Sequence, residues 1–199
     1  MEYTANHIEL CGVLAELPQL SHENHERRFY RFPLEVERLS GAVDILPVIV
    51  SEDVLCAMDL SGGEMLSVTG QIRTYNNRTG EGRRLVVSVY AETLASCDAE
   101  PENQVELTGT ICKEPVYRQT PLGREICDVL LAVNRPYHRA DYIPCILWGR
   151  NANLVRFCQV GDSLHLTGRF QSRDYIKVVD EKSHQRTAYE VSAMTAEVV

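Results

Sequence analysis

The chain has 199 residues, 44% of them hydrophobic and 24% charged, which is ordinary for a globular protein of one or two domains. Its 20 Lys and Arg against 28 Asp and Glu give a net charge of -8, which taken over the whole molecule argues against a polyanionic partner. No apolar run approaches the ~20 residues of a membrane span, and the first ten residues lack both a basic and a long apolar region. Neither a membrane anchor nor a signal peptide is expected, and the cytoplasm is the expected compartment.

Residues 6–12 read NHIELCG and open the first unit of the chain. His22-x-x-His25 has no carboxylate or Cys partner spaced for a metal and reads as a solvated loop. Residues 44–50 (DILPVIV) form a later strand; Ser51 then precedes Glu52 and Asp53, an N-cap with two acids in the first turn of a short helix. Residues 63–70 (GEMLSVTG) lead into a last hairpin that carries Arg73, Tyr75, Arg78, Arg83 and Arg84. The stretch 96–102 (SCDAEPE) is polar and holds a proline, as a short linker does.

The order then repeats. NHIELCG returns as NQVELTG at 103–109, DILPVIV as DYIPCIL at 141–147, and GEMLSVTG as GDSLHLTG at 161–168, at offsets of 97, 97 and 98. A period this long means tandem domains, here residues 1–95 and 103–199 on either side of the linker. In the second unit, alternation over 105–112 predicts a strand, and Thr120-Pro-Leu-Gly123 a turn. Cys127, Val129, Leu131 and Val133 alternate inward on a second strand, and the loop 135–139 leads to a third. Asn151 is expected to cap a short helix with Leu154, Val155 and Cys158 as its apolar stripe and Gly161 near its C-terminal end. Leu164, Leu166 and Phe170 fall on a fourth strand; a charged loop over 174–186 is expected before a last strand at about 189–198. Five strands with one helix between the third and fourth is the order of the OB-fold, a partly open Greek-key barrel. The expected fold class is therefore all-β, with one short helix per unit, in two tandem five-stranded OB-folds.

The seven Cys form no CxxC pair and sit mostly in apolar stretches, as reduced structural thiols do. There is no P-loop, no Gly-x-Ser-x-Gly, no metal-ligand spacing and no His–carboxylate constellation. No catalytic residue, metal or cofactor is expected, and an enzyme is not. Charge is divided unevenly: residues 1–98 hold 8 Lys and Arg against 15 Asp and Glu, and residues 99–199 hold 12 against 13.

Tyr142 and Trp148 lie six residues apart and so share one face of the third strand. Ile143, Cys145 and Leu147 on the other face suffice to anchor it to a core. Strands 2 and 3 of an OB-fold, with the adjoining loops, form its usual binding face. That face collects Tyr137, Tyr142, Trp148 and Tyr175, interleaved with Arg135, Arg139, Arg150, Arg169, Arg173 and Lys177. Aromatic plates stack on unpaired bases for about 1–3 kcal/mol each, and guanidinium groups hold the phosphates between them. Ile146, between the aromatics, is expected under a stacked base or in a subunit contact. The alternative, with the aromatics in the core and the arginines merely solvated, stays open on pattern alone.

The second unit resembles the bacterial single-stranded DNA-binding proteins of the homotetrameric OB-fold type. The likeness runs through NQVELTG at 103–109, Glu114-Pro115, Arg118, Thr120-Pro-x-Gly123, LAVNRP at 131–136, DYIPCILWG at 141–149, Val160-Gly-Asp162 and GRFQSRDY at 168–175. It implies that Tyr137, Tyr142, Trp148 and Tyr175 stack on bases, with Arg118 among the contacts. It further implies a non-catalytic, largely sequence-independent binder of single-stranded DNA, associated with the nucleoid and acting in replication, recombination or repair. Family members commonly have one OB-fold in each of four chains, so a homodimer of this chain would restore four barrels. They also continue into a flexible, acid-tipped tail; recruitment of proteins through such a tail is not expected of a sequence reading to Val199. In the first unit Ser40, Ala42, Ile45 and Ser51 replace Tyr137, Arg139, Tyr142 and Trp148. That unit is expected to bind a polyanion poorly and to serve assembly. The competing expectation is an accessory, primosome-type interaction module with little DNA affinity. RNA is also open, since only contacts to the 2′-hydroxyl separate the two strand types.

Overall fold

Alternating apolar residues build two barrels of matching layout in the computed structural model, which describes residues 5–77, 85–179 and 182–199. Arg78, Arg83 and Arg84 of the basic hairpin lie outside the described residues. The first barrel contains β1 (Asn6–Leu14), β2 (Gln19–Asn24), β3 (Arg27–Glu37), β4 (Val43–Ser51), α1 (Glu52–Leu55), β5 (Met65–Asn76) and β6 (Leu85–Ser96). The second contains β7 (Glu102–Ile111), β8 (Val116–Gln119), β9 (Glu125–Arg135), β10 (Arg139–Trp148), α2 (Gly149–Val155), β11 (Ser163–Val179) and β12 (Lys182–Val198). Each barrel closes through one parallel pair, β4 with β6 and β10 with β12, while its other pairings are antiparallel. This is the OB-fold twice over.

Each barrel has six strand segments rather than the expected five, because the first strand is broken. The breaks fall between Leu14 and Gln19 and between Ile111 and Val116, and each contains a proline, Pro18 and Pro115, which has no N–H for the ladder. The expected loop over 174–186 is strand instead: β11 and β12 pair from Leu164↔Val198 to Val179↔Lys182. Ile176 and Val178 are exposed there, so the outer hairpin is held by its backbone ladder rather than by a buried face. His22 is likewise on a strand, stacked on Phe29 at 4.8 Å, and His25 occupies the tight turn into β3. The second helix begins at Gly149, with Trp148 at its N-cap position; Asn151 does not cap it but donates to the Met194 carbonyl at 2.9 Å. Its buried residues are Ala152 and Val155, one turn apart, while Leu154 faces solvent. Ser51 holds the N-cap position of α1 ahead of Glu52 and Asp53, but its side chain makes no capping bond.

The repeated residues perform repeated jobs. The amides of Asn6 and Asn103 each bond a backbone N–H and carbonyl, at Ile72 in the first barrel and Phe170 in the second, with all four distances between 2.7 and 2.9 Å. Gly70 and Gly168 sit at bulges in β5 and β11, where a Cβ would lie 2.0 and 2.2 Å from the carbonyl oxygens of Tyr90 and Ser192. Only glycine permits that approach.

The barrels join through β1 and β7, which pair antiparallel so that Ile8 lies opposite Val105, its own counterpart in the repeat. Asn6 therefore faces Leu107 while Leu10 faces Asn103. A pseudo-two-fold axis passes through the joint, and the contact has the isologous form normally made by two subunits.

Candidate nucleic-acid interface

Strand β10 divides its side chains by face. Ile143, Cys145 and Leu147 fill the barrel core, whereas Tyr142 and Trp148 are 41% and 38% exposed. Tyr175 on β11 is 37% exposed and Tyr137, in the turn between β9 and β10, 93%. That turn holds Tyr137 at φ 64° and His138 at φ 54°, a conformation costly for side chains with a Cβ. Ile146 departs from expectation. It is only 2% exposed, covered by the chain itself together with its neighbour Ile126, so neither a base nor a second subunit rests on it. Cys127 and Cys145 are buried; burial pushes the Cys127 thiol up to about 11 and Cys145 higher still, which suits inert packing groups.

The cations fall into two groups. Arg118 pairs with Asp128 at 2.9 Å, Arg135 with Asp141 at 3.0 Å, and Arg173 with Glu190 at 3.1 Å. Arg139, Arg150 and Arg169 make no ion pair among the described residues. Lys177 lies on β11, its side chain outside the described residues. Arg173 also stands over the Tyr175 ring, 6.0 Å from its centroid.

Two buried aspartates explain why Asp44 and Asp141 recur in the repeat. Asp141 of the second barrel reaches the first: it accepts the Thr74 N–H at 2.6 Å and pairs with Arg73 at 3.2 Å, as well as with Arg135. Thr74 in turn accepts the Tyr142 N–H at 2.8 Å, which fixes the start of the aromatic strand against the other barrel. Asp44 makes the reciprocal contact, accepting from Ser172 N–H at 2.7 Å and from its hydroxyl at 2.9 Å. The Arg38 fork grips Asp44 at 2.7 and 2.5 Å and also donates to the Ser172 carbonyl at 2.9 Å. Burial alone would raise the Asp44 carboxyl; the Arg38 fork and the two Ser172 bonds outweigh it and hold the group below its ordinary value.

Sequence reasoning did not find Arg38 and Arg124. With Arg169, Arg173 and the Trp148 ring they line a cleft of about 380 Å³ where the two barrels meet. The signal for Arg38 was present, since it stands 97 residues before Arg135. The first barrel has no matching platform: Ile45 is exposed where Tyr142 stands, and Ser51 is buried where Trp148 stands. Because Thr74 and Ser172 make equivalent contacts, Tyr75 occupies the place of Arg173, not that of Tyr175.

The family model described as the single-strand binding protein family matches residues 102–199. Single-stranded DNA-binding protein B of Bacillus subtilis (strain 168) is 40% identical over 80 residues, which cover 37% of this chain and 71% of that protein. The chain belongs to the single-strand binding protein family. Single-stranded DNA-binding protein 3 of Listeria innocua is 38% identical over 80 residues, and there the match covers 50% of the relative's length. The crystal structure of wild-type single-stranded DNA binding protein from Thermus aquaticus superposes with a TM-score of 0.81 over 98% of this chain and 92% of that one, at 21% identity. The fold shared with that structure therefore takes in the first barrel as well as the second. Tyr137, Tyr142, Trp148 and Tyr175 all lie within the segment that carries the family match.

Proposed function

We propose that the chain binds single-stranded DNA, largely without regard to sequence, on the outer face of its second barrel. One observation carries this: Tyr137, Tyr142, Trp148 and Tyr175 are exposed while Ile143, Cys145 and Leu147 anchor β10 to the barrel core. Bases stack on the four rings, and Arg139, Arg150 and Arg169, which make no ion pair among the described residues, take the phosphates. Arg118, Arg135 and Arg173 are held by carboxylates and offer a strand only their remaining N–H groups. The role is non-catalytic, in replication, recombination or repair at the nucleoid. The acidic first barrel serves assembly, and two chains join to present four barrels.

Trp148 is the chain's one tryptophan, so its fluorescence reports directly. Oligo-dT is expected to quench it, with a log–log salt slope of about -2 or steeper, at about -0.7 for each phosphate neutralised. Trp148→Ala, at the loss of about 1–3 kcal/mol of stacking, should bind about 5- to 150-fold more weakly with its circular dichroism unchanged. Light scattering on the same samples should give twice the 22.5 kDa chain mass. An unchanged fluorescence at low salt overturns the assignment.

A further inference from the structure

The cleft at the end of β10 is built by both barrels. Trp148, Arg169 and Arg173 come from the second, Arg124 stands exposed just before β9, and Arg38 reaches in from the turn after β3 of the first. Arg38 is fixed rather than mobile. Its Nε and Nη2 are held by Asp44, and Nη2 also by the Ser172 carbonyl, which leaves Nη1 without a partner among the described residues. Arg173 repeats the arrangement, with Nε and Nη2 on Glu190 and Nη1 unbonded. A guanidinium held this way loses little side-chain entropy when an anion meets its remaining N–H groups. Arg38 and Arg173 are balanced by Asp44 and Glu190, and Arg124 and Arg169 make no ion pair among the described residues, so the cleft is basic.

The pseudo-two-fold axis supplies a control. It would generate the same cleft a second time, around Arg135. There Ser51 takes the place of Trp148, Gln71 that of Arg169 and Tyr75 that of Arg173, while Arg27 matches Arg124 and Arg73 stands where Gln171 does. Both sides are basic; they differ in that the half-exposed indole of Trp148 stands on one and the buried Ser51 on the other.

We infer that Arg38, from the barrel without a platform, is a phosphate contact of the single-strand site, so that a strand leaving Trp148 crosses the joint between the barrels. The inference rests on the stacking role proposed for Trp148. It makes the first barrel a contributor to the site, on the side that carries the indole.

Removing Arg38 alone would leave Asp44 buried and unpaired, so the test compares Asp44→Asn with Asp44→Asn/Arg38→Gln in the full chain. Both lack the buried charge, and they differ in the guanidinium. With oligo-dT of about 30 nucleotides, the double variant should bind about fivefold or more weakly than the single one, and its salt slope should be shallower by about 0.7. The Trp148 quench amplitude should be the same in both. As an independent readout, a photo-crosslinking residue replacing the fully exposed Leu39 should label oligo-dT. Equal affinity and slope in the two variants, or a quench without crosslinking at position 39, overturns the role of Arg38 while leaving the stacking site intact. Absence of any quench in the wild type overturns the stacking site itself.

Discussion

Tyr137 shows a cost accepted at a single residue. It is nearly fully exposed in a left-handed turn conformation that glycine adopts more readily, so nothing in the folded state rewards a tyrosine there. Tyr137→Gly should leave thermal stability unchanged or raise it by up to about 1 kcal/mol, the strain relieved being partly offset by chain entropy. The same variant should weaken oligo-dT binding by about 1–3 kcal/mol. Melting curves and Trp148 titrations on one sample decide it; a stability loss would mean that the ring packs on the barrel. The buried Ile146 carries the opposite lesson. Alternation placed it on the aromatic face, yet alternation fixes only the direction of a side chain and not what the rest of the chain lays over it.

Among the elements, β11 carries the heaviest constraint. At Gly168 the chain bends through a bulge against the carbonyl of Ser192, and a Cβ has no room. Gly168→Ala should cost about 1–3 kcal/mol as the strands are forced apart, read as a lowered urea midpoint. Ala at the open turn of Gly123 meets no atom within 4 Å and strains only its own backbone, so it should cost less. The repeat, the strand alternation and the helix between the third and fourth strands were legible because barrel cores impose a period of two on the sequence. The outer half of β11 and β12 was not legible, since a hairpin beyond the barrel buries neither face and carries no period. The tethering of Arg135 and Arg173 was also hidden. Their partners are fixed by the fold, and a carboxylate that neutralises an arginine reads in sequence as just another charge. Arg38 was hidden for the same reason, its contact to Ser172 spanning 134 residues.

For the molecule as a whole, the two aspartate exchanges decide how rigidly the barrels are held. The Asp44 carboxylate is stabilised in the folded state, so its contribution is present above the unfolded carboxylate value of about 3.9 and is lost as pH falls through the lower folded value. Asp44→Asn keeps the shape and removes the titration. The stability gap between wild type and this variant should therefore be full at about pH 6 and should close on acidification below about pH 4. A gap that stays constant with pH would mean that Asp44 contributes no linked charge.

The β1–β7 joint has one further consequence. Where an isologous contact joins separate polypeptides, every substitution appears on both sides of the axis and dilution pulls the partners apart. Here the two sides are encoded separately and tethered by a handful of residues, so the effective concentration of one half about the other is on the order of millimolar or more, however scarce the protein becomes. The two halves are therefore free to differ, exposed aromatics standing on one where Ile45 and Ser51 stand on the other, and the lopsided pair cannot exchange into a symmetric one.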